Sequence, residues 1–222
     1  MIPSEKEWMD ALIARHGLDL HKRFSSATVA ICGLGGLGSN IAVALARAGI
    51  GKLLLIDFDR VDITNLHRQQ YKASQIGLCK ADALAENLVE IAPYTELQTV
   101  TERITEENFA DLLKDADVVC EAFDDAEAKA MLVNGVLEQL PRCYLVAASG
   151  MAGMDTPNAI QTRKVVKRFY LCGDEVSDVA NTIGLVAPRV MLCAAHQAHT
   201  VLRILAGEYE VSERRIYDDS QR

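Results

Sequence analysis

Four groups of residues in this chain have the types and spacing for nucleotide chemistry. The stretch ICGLGGLGSN, residues 31–40, carries Gly33-x-Gly35-x-x-Gly38. Glycines so spaced let a backbone approach phosphate closely, and a helix beginning near Ser39 would aim its free N–H groups and positive dipole end at the anion. Asp57 closes the next apolar run, GKLLLIDFD, where a carboxylate meets a ribose diol in such folds. To this point a nicotinamide dinucleotide fits as well as ATP. The segment DFDRVDITNLHRQQY then supplies Asn65, Arg68 and Gln69, and Lys80 opens a further helix. Two cations with helix N–H groups offset the charge on three phosphates and stabilise a pyrophosphate as it leaves. Asp124, in EAFDD, would hold Mg2+ on those phosphates; Asp125 is the less favoured neighbour, and a helix N-cap is the competing role for either. The GK[ST] of a P-loop is absent, which excludes a Walker-type ATPase.

Alternating strands and helices must position these groups. Trp8, Leu12 and Ile13 recur at helical spacing before Gly17, predicting a short amphipathic helix. ATVAICG reads as a buried strand, SNIAVALARAG as a helix ending at Gly49, and GKLLLIDFD as a second strand, so the glycine loop is the first turn of a βαβ unit. Ala81, Leu84, Leu88 and Ile91 mark a helix that Pro93 stops. TELQTVTERI predicts a strand, TEENFADLLKDA a helix with Thr105 as N-cap, DVVCEAF a strand, DAEAKAMLVNGVLEQL a helix and CYLVAASG a strand. Such alternation predicts an α/β fold: a Rossmann-like, doubly wound, mostly parallel sheet. NAIQTRKVVKRFYLCG departs from it as two short strands around a basic turn, a C-terminal antiparallel extension. PRVMLCAAHQAHTVLRILAG closes the chain as a helix, with Pro188 in its first turn and Gly207 past its end. The expected organisation is one domain over 1–222: a helical arm at 1–26, a nucleotide-binding core at 27–150, and an extension with closing helix at 151–222.

Composition narrows the partners. Half of the 222 residues are hydrophobic and 24% charged, with no apolar run near the length of a membrane span, so a soluble protein with no membrane partner is expected. Acids in MIPSEKEWMD replace the basic and apolar regions of a signal peptide, pointing to the cytoplasm. A net charge of −8 argues against long phosphate-backbone contacts, so no nucleic acid is expected. The six cysteines include no C-x-x-C pair, and they read as small buried hydrophobes rather than a zinc or disulfide framework.

GLGGLGSN, DFDRVDITNLHRQ, GLCKADA, the acid after the fourth strand and GLVAPRVMLCAAHQAHTVLRILAG together resemble the ThiF/MoeB, ubiquitin-activating-enzyme-like superfamily, from about Ala27 to Gly207. EAFDDAEAKAMLV, ASGMAG and GDEVSDV are similar to its short ThiF-type branch. The resemblance implies a homodimer that binds ATP and Mg2+ and adenylates the Gly-Gly terminal carboxylate of a ThiS-like sulfur carrier in thiamine biosynthesis. It implies phosphate contacts from Gly33, Gly35, Gly36, Leu37 and Gly38, ribose contacts from Asp57 with Asp59 beside it, phosphate charge balanced by Asn65, Arg68, Gln69 and Lys80, and magnesium on Asp124. It also implies an N-terminal arginine reaching a partner's ATP, with Arg15 the first candidate and Arg23 behind it. The runner-up in the same superfamily is the ATP-dependent dehydratase that cyclises threonylcarbamoyl-adenosine on tRNA. A nicotinamide oxidoreductase stands on the glycine loop alone, and a non-catalytic docking protein would have no use for Arg68, Lys80 and Asp124 together.

Two departures from relatives bear on chemistry. YLCGD keeps one cysteine of a zinc-binding pair and YDDSQR supplies no second pair, so no zinc is expected. The place of a sulfur-transfer cysteine falls near Ala180, leaving Cys172 as a nearby thiol that reads as structural. His196 and His199 lack a third metal ligand, His67 reads as a loop residue, and Arg163, Lys164, Lys167 and Arg168 form a basic cluster that would suit an acidic carrier or be merely solvated.

Overall fold

The structure, a computed structural model, describes residues 2–211. Seven strands form one sheet in the order β3-β2-β1-β4-β5-β7-β6. They are β1 (Thr28–Cys32), β2 (Lys52–Ile56), β3 (Glu96–Val100), β4 (Val118–Glu121), β5 (Tyr144–Ala148), β6 (Gln161–Val166) and β7 (Phe169–Gly173). All pairings are parallel except β6 with β7, so the doubly wound sheet and its antiparallel extension are as the pattern predicts. The central strands are continuous apolar runs because helices cover both their faces; Val29 to Cys32 and Val118 to Cys120 are wholly excluded from solvent.

Among the described residues seven α-helices accompany the sheet: α1 (Glu5–His16), α2 (Leu18–Ser25), α3 (Gly36–Ala48), α4 (Lys80–Ile91), α5 (Phe109–Leu113), α6 (Ala126–Gln139) and α7 (Ala187–Ala206). Ile41 and Leu45 of α3, Leu84 and Leu88 of α4, and Val190 and Val201 of α7 pack into one core cluster with Ile31 and Leu55. Phe109 and Leu113 of α5 join Leu132 and Val136 of α6 in a second, which meets Ala30, Leu54 and Val119 on the other face. The alternation of side chains along each strand divides the two layers.

Register brings the chemistry together. Cys32 lies opposite Ile56 on one side and Glu121 on the other, so β1, β2 and β4 end level. The next residues, Gly33, Asp57 and the segment 122–125, therefore meet at one edge, where strand order reverses around β1.

Three expectations shift. The helix after the glycine loop starts at Gly36, not near Ser39, because Gly36, Leu37 and Gly38 already take helical conformation. Thr105 does not cap α5; it accepts the Glu107 N–H in a preceding turn, and Asn108 stands at the helix N-cap position. Beyond Gly17 a second helix, α2, continues the arm, buries His21 and Phe24 and was not foreseen. The first helix itself is held by a capping box of Ser4 and Glu7.

Candidate functional site

A cleft of about 780 Å³ opens at this edge. Gly33, Gly35, Gly36, Leu37, Asp57, Asp59, Asn65, Arg68, Gln69, Lys80 and Asp124 all line it, residues spread over 92 positions of sequence, from 33 to 124. Its size suits a nucleotide. Two predicted residues lie elsewhere. Gly38 is a packing position: a Cβ there would stand 1.8 Å from the Gly33 carbonyl oxygen. Arg15 is exposed on α1 and does not line its own chain's cleft.

The loop geometry requires glycine where backbone meets backbone. Gly33 has φ +89°, and a Cβ would sit 2.8 Å from the Ala122 carbonyl oxygen. Behind the loop, residues that the sequence reading passed over stitch it to the 65–71 segment. Ser39 Oγ donates to the Gly35 carbonyl at 2.6 Å and accepts the Gln70 N–H at 3.1 Å. Asn40 Nδ2 donates to the carbonyls of Gly36 (2.7 Å) and Arg68 (3.2 Å), while its Oδ1 accepts from Gln70 Nε2. The Tyr71 hydroxyl donates to the Leu34 carbonyl at 2.7 Å, and burial pushes its phenol well up. The only signal for them was polar residues, SN and QQY, beside glycines and cations.

Asp57 and Lys80 are both buried, 7% and 6% exposed. Asp57 Oδ2 accepts the Leu34 N–H at 2.7 Å and Oδ1 the Asp59 N–H at 2.8 Å. Burial raises the Asp57 carboxyl, opposed by Lys80 and these two N–H groups. Lys80 Nζ lies 2.9 Å from Asp59 Oδ2 and 3.9 Å from Asp57 Oδ2, so its ammonium stands at the cleft wall between two acids. A carboxylate oxygen has two lone pairs, which leaves Asp57 capacity for a diol.

Asp62 and Asn65 cap the turn Ile63–Asn65 reciprocally and aim the segment at the cleft. Arg68 Nη1 donates to the Thr64 carbonyl at 3.0 Å. Its buried Nε, and the buried Gln69 Oε1, have no partner among the described residues. Buried polar atoms are rarely left so, and here they lie beside a glycine loop and a helix N-terminus. An unpartnered donor, cations and helix N–H groups brought together at one cleft are the groups that a polyphosphate would pair with.

At the third strand end, Asp125 caps α6 by accepting the Ala128 N–H at 2.8 Å. Asp124 is exposed to the cleft and has no partner for its carboxylate among the described residues. A lone hard oxygen ligand beside phosphates is the usual protein share of a Mg2+ site. Also unforeseen are Glu121, fully buried, and Lys129, whose Nζ lies 2.6 Å from Glu121 Oε2 and 2.9 Å from the Ala148 carbonyl. Burial drives the Glu121 carboxyl up and the Lys129 ammonium pulls it back.

The remaining candidates separate from the cleft. Cys172 is fully buried, and burial pushes its thiol up to about 11, which makes it a core residue. His196 and His199 line another cavity, of about 500 Å³, where His196 Nδ1 pairs with Thr162 Oγ1. In the basic cluster Arg163 pairs with Glu175, Lys164 with Glu210, and Arg168 donates to the Leu140 and Cys143 carbonyls. Those three charges are spent within the chain. The tail YDDSQR lies outside the described residues, and among those described no helix is long and apolar enough to cross a membrane.

Residues 9–220 match the model of the ThiF family. The chain belongs to the ThiF family. It is 34% identical to the tRNA threonylcarbamoyladenosine dehydratase of Bacillus subtilis (strain 168) over 173 residues, 77% of this chain and 65% of that protein. Against the same-named protein of Escherichia coli (strain K12) it is 34% identical over 146 residues, 65% of this chain and 54% of that one. It is 29% identical to the adenylyltransferase and sulfurtransferase UBA4 of Lodderomyces elongisporus over 198 residues, 86% of this chain and 43% of that protein. The chain thus spans roughly half the length of these relatives. The fold matches the crystal structure of the E. coli dehydratase TcdA in complex with ATP, with a TM-score of 0.82, 24% identity, and 94% of this chain and 98% of that one covered. These likenesses correct the expectation of a ThiS carrier and a thiamine role. They favour the tRNA dehydratases, two of which are 34% identical to this chain, and the motifs read as marking a carrier-adenylating branch line the cleft rather than any surface that would tell one carboxylate substrate from another.

Proposed function

We propose that this chain activates a carboxylate with ATP, and that the carboxylate belongs to threonylcarbamoyl-adenosine in a tRNA. The substrate's carboxylate oxygen attacks the α-phosphorus and the bond to pyrophosphate breaks. The threonylcarbamoyl group then closes on its own activated carbonyl carbon, and AMP leaves with the former carboxylate oxygen. The net change in the nucleoside is loss of one water. No protein nucleophile is needed, and the carboxylate is ionised at neutral pH, so no general base is needed for the first step.

The chain's own residues bind and orient. The N–H groups at the start of α3 face the phosphates, Asp57 takes the ribose, and Arg68, Lys80, Asn65 and Gln69 balance the charge that grows on the departing pyrophosphate. Asp124 would hold Mg2+, which when bound neutralises phosphate charge. Arg15, on the exposed face of α1, is retained as the residue that reaches the ATP of a second copy in a homodimer. A tRNA substrate runs against the expectation, drawn from the net charge of −8, that no nucleic acid is bound.

The observation that carries the activation step is that, of the buried side-chain atoms without partners among the described residues, Arg68 Nε and Gln69 Oε1 belong to residues lining the cleft beside the glycine loop. The choice of tRNA is supported by likeness to the two dehydratases. The test is incubation with ATP and a tRNA bearing threonylcarbamoyl-adenosine, followed by mass analysis of the nucleosides. Stoichiometric AMP and a nucleoside lighter by one water are expected. AMP formation indifferent to that tRNA, or dependent on a Gly-Gly-ended protein, would overturn the choice of substrate.

A further inference from the structure

The segment that carries Asp124 is short and clamped. Between the end of β4 at Glu121 and the start of α6 at Ala126 lie only four residues. Glu121 Oε1 accepts the Phe123 N–H at 2.8 Å, which folds the segment back on its own strand. Glu121 Oε2 receives Lys129 Nζ at 2.6 Å, which ties the first turns of α6 to the end of β4. The same ammonium donates to the Ala148 carbonyl at 2.9 Å, adding the end of β5. On the opposite side the segment touches the glycine loop at Ala122 and Gly33. A lysine thus joins three neighbouring elements through a carboxylate with no solvent exposure at all.

We propose that Glu121 and Lys129 are positioning residues for the metal-bearing carboxylate of Asp124, setting where Mg2+ sits relative to the glycine loop. This rests on the Mg2+ role given to Asp124 above. An ion pair with one partner fully buried and the other, Lys129, 28% exposed is weak ground for stability, since apolar replacements of both partners are often neutral. Its value here is geometric: backbone already held in one conformation need not be ordered when the metal arrives. Groups that orient a metal ligand without touching the metal typically change affinity by about 10–100-fold.

The double variant Glu121→Gln with Lys129→Met removes both charges and so leaves none buried alone. Mn2+ would be titrated, by electron paramagnetic resonance of the free ion, into the protein saturated with a non-hydrolysable ATP analogue. A parallel titration follows the thermal midpoint with Mg2+, and analogue affinity is measured in EDTA. The double variant is expected to bind metal about 10–100-fold more weakly, with metal-free analogue affinity within threefold of the parent. Lys129→Arg should recover most of the loss. A role confined to stability would lower the thermal midpoint and leave metal affinity in place. Metal binding lost in Asp124→Ala but intact in the double variant overturns the clamp alone. Metal binding intact in Asp124→Ala overturns the assignment of Asp124, and the clamp with it.

Discussion

Two clusters of buried charge use the same residue types to opposite ends. At the carboxyl ends of β1 and β2, Lys80 stands between Asp57 and Asp59, and the nearby Arg68 and Gln69 keep buried atoms without protein partners. Between β7 and α7, Arg189 and Asp174 are 5% and 4% exposed and meet at 2.5 Å. Arg189 Nη1 also donates to the carbonyls of Asp155 and Thr156, and Asp174 Oδ1 accepts the N–H groups of Val176 and Ser177. The second cluster pairs its two charges with each other and with backbone, leaving only Arg189 Nε without a partner among the described residues, and it fixes two loops, one of which brings Ser177 and Asp178 to the cleft. The first holds its charges open toward a ligand. The two clusters thus differ in whether their charges border the cleft or lie between packed elements, which residue type does not tell.

The largest effect should come from Arg189→Met, which strands the Asp174 carboxylate. Stability should fall by about 3–5 kcal/mol in urea melts, while ATP affinity per folded molecule stays near the parent's. A loss of ATP affinity with stability intact would break the contrast. Lys80→Met should do the reverse, slowing the reaction roughly 10²–10³-fold in single turnover while lowering the urea midpoint less than Arg189→Met.

A pH series sharpens the closed cluster. Burial alone would raise the Asp174 carboxyl, but the N–H groups of Ser177 and Val176, then the Ser177 side chain and Arg189, hold it at about 2. Its folded value is thus depressed from 3.8, so the stability it gives is present above pH 3.8 and is lost as pH falls toward 2. The contribution is about 2 kcal/mol. Asp174→Asn should start lower at pH 7 and show a flatter acid limb. The smallest change is expected for Arg163→Ala, whose direct pair with Glu175 lies at the surface, with side chains 51% and 42% exposed. Loss there should stay under about 1 kcal/mol and shrink in high salt.

Much of this molecule was legible as pattern. Strand runs such as TVAIC and KLLLI, the helix ending at Gly49 and the hairpin at residues 161–173 all stand where periodicity placed them. The helical arm was half read, since α2 has only eight residues, too few for a period to declare itself. Thr105 failed as a cap because Asn108, three residues on, reaches back to its N–H and holds a turn there instead.

The site divides along the same line. Gly33, Asp57, Arg68, Lys80 and Asp124 could be picked from sequence because each belongs to a local context, a loop or a strand end, with chemistry attached. Glu121, Lys129, Ser39, Asn40 and Tyr71 could not, since their partners lie on other elements and only packing brings them within hydrogen-bond reach. The pairing of Arg163 and Lys164 with acids, and of Arg168 with backbone carbonyls, was equally hidden. What the sequence determined by itself is the fold, through hydrophobic period and turn chemistry, and which glycines, acids and cations come to the strand ends that line the cleft. What the tertiary structure alone decided is which charges remain unspent, because that depends on contacts between elements that a linear pattern does not record.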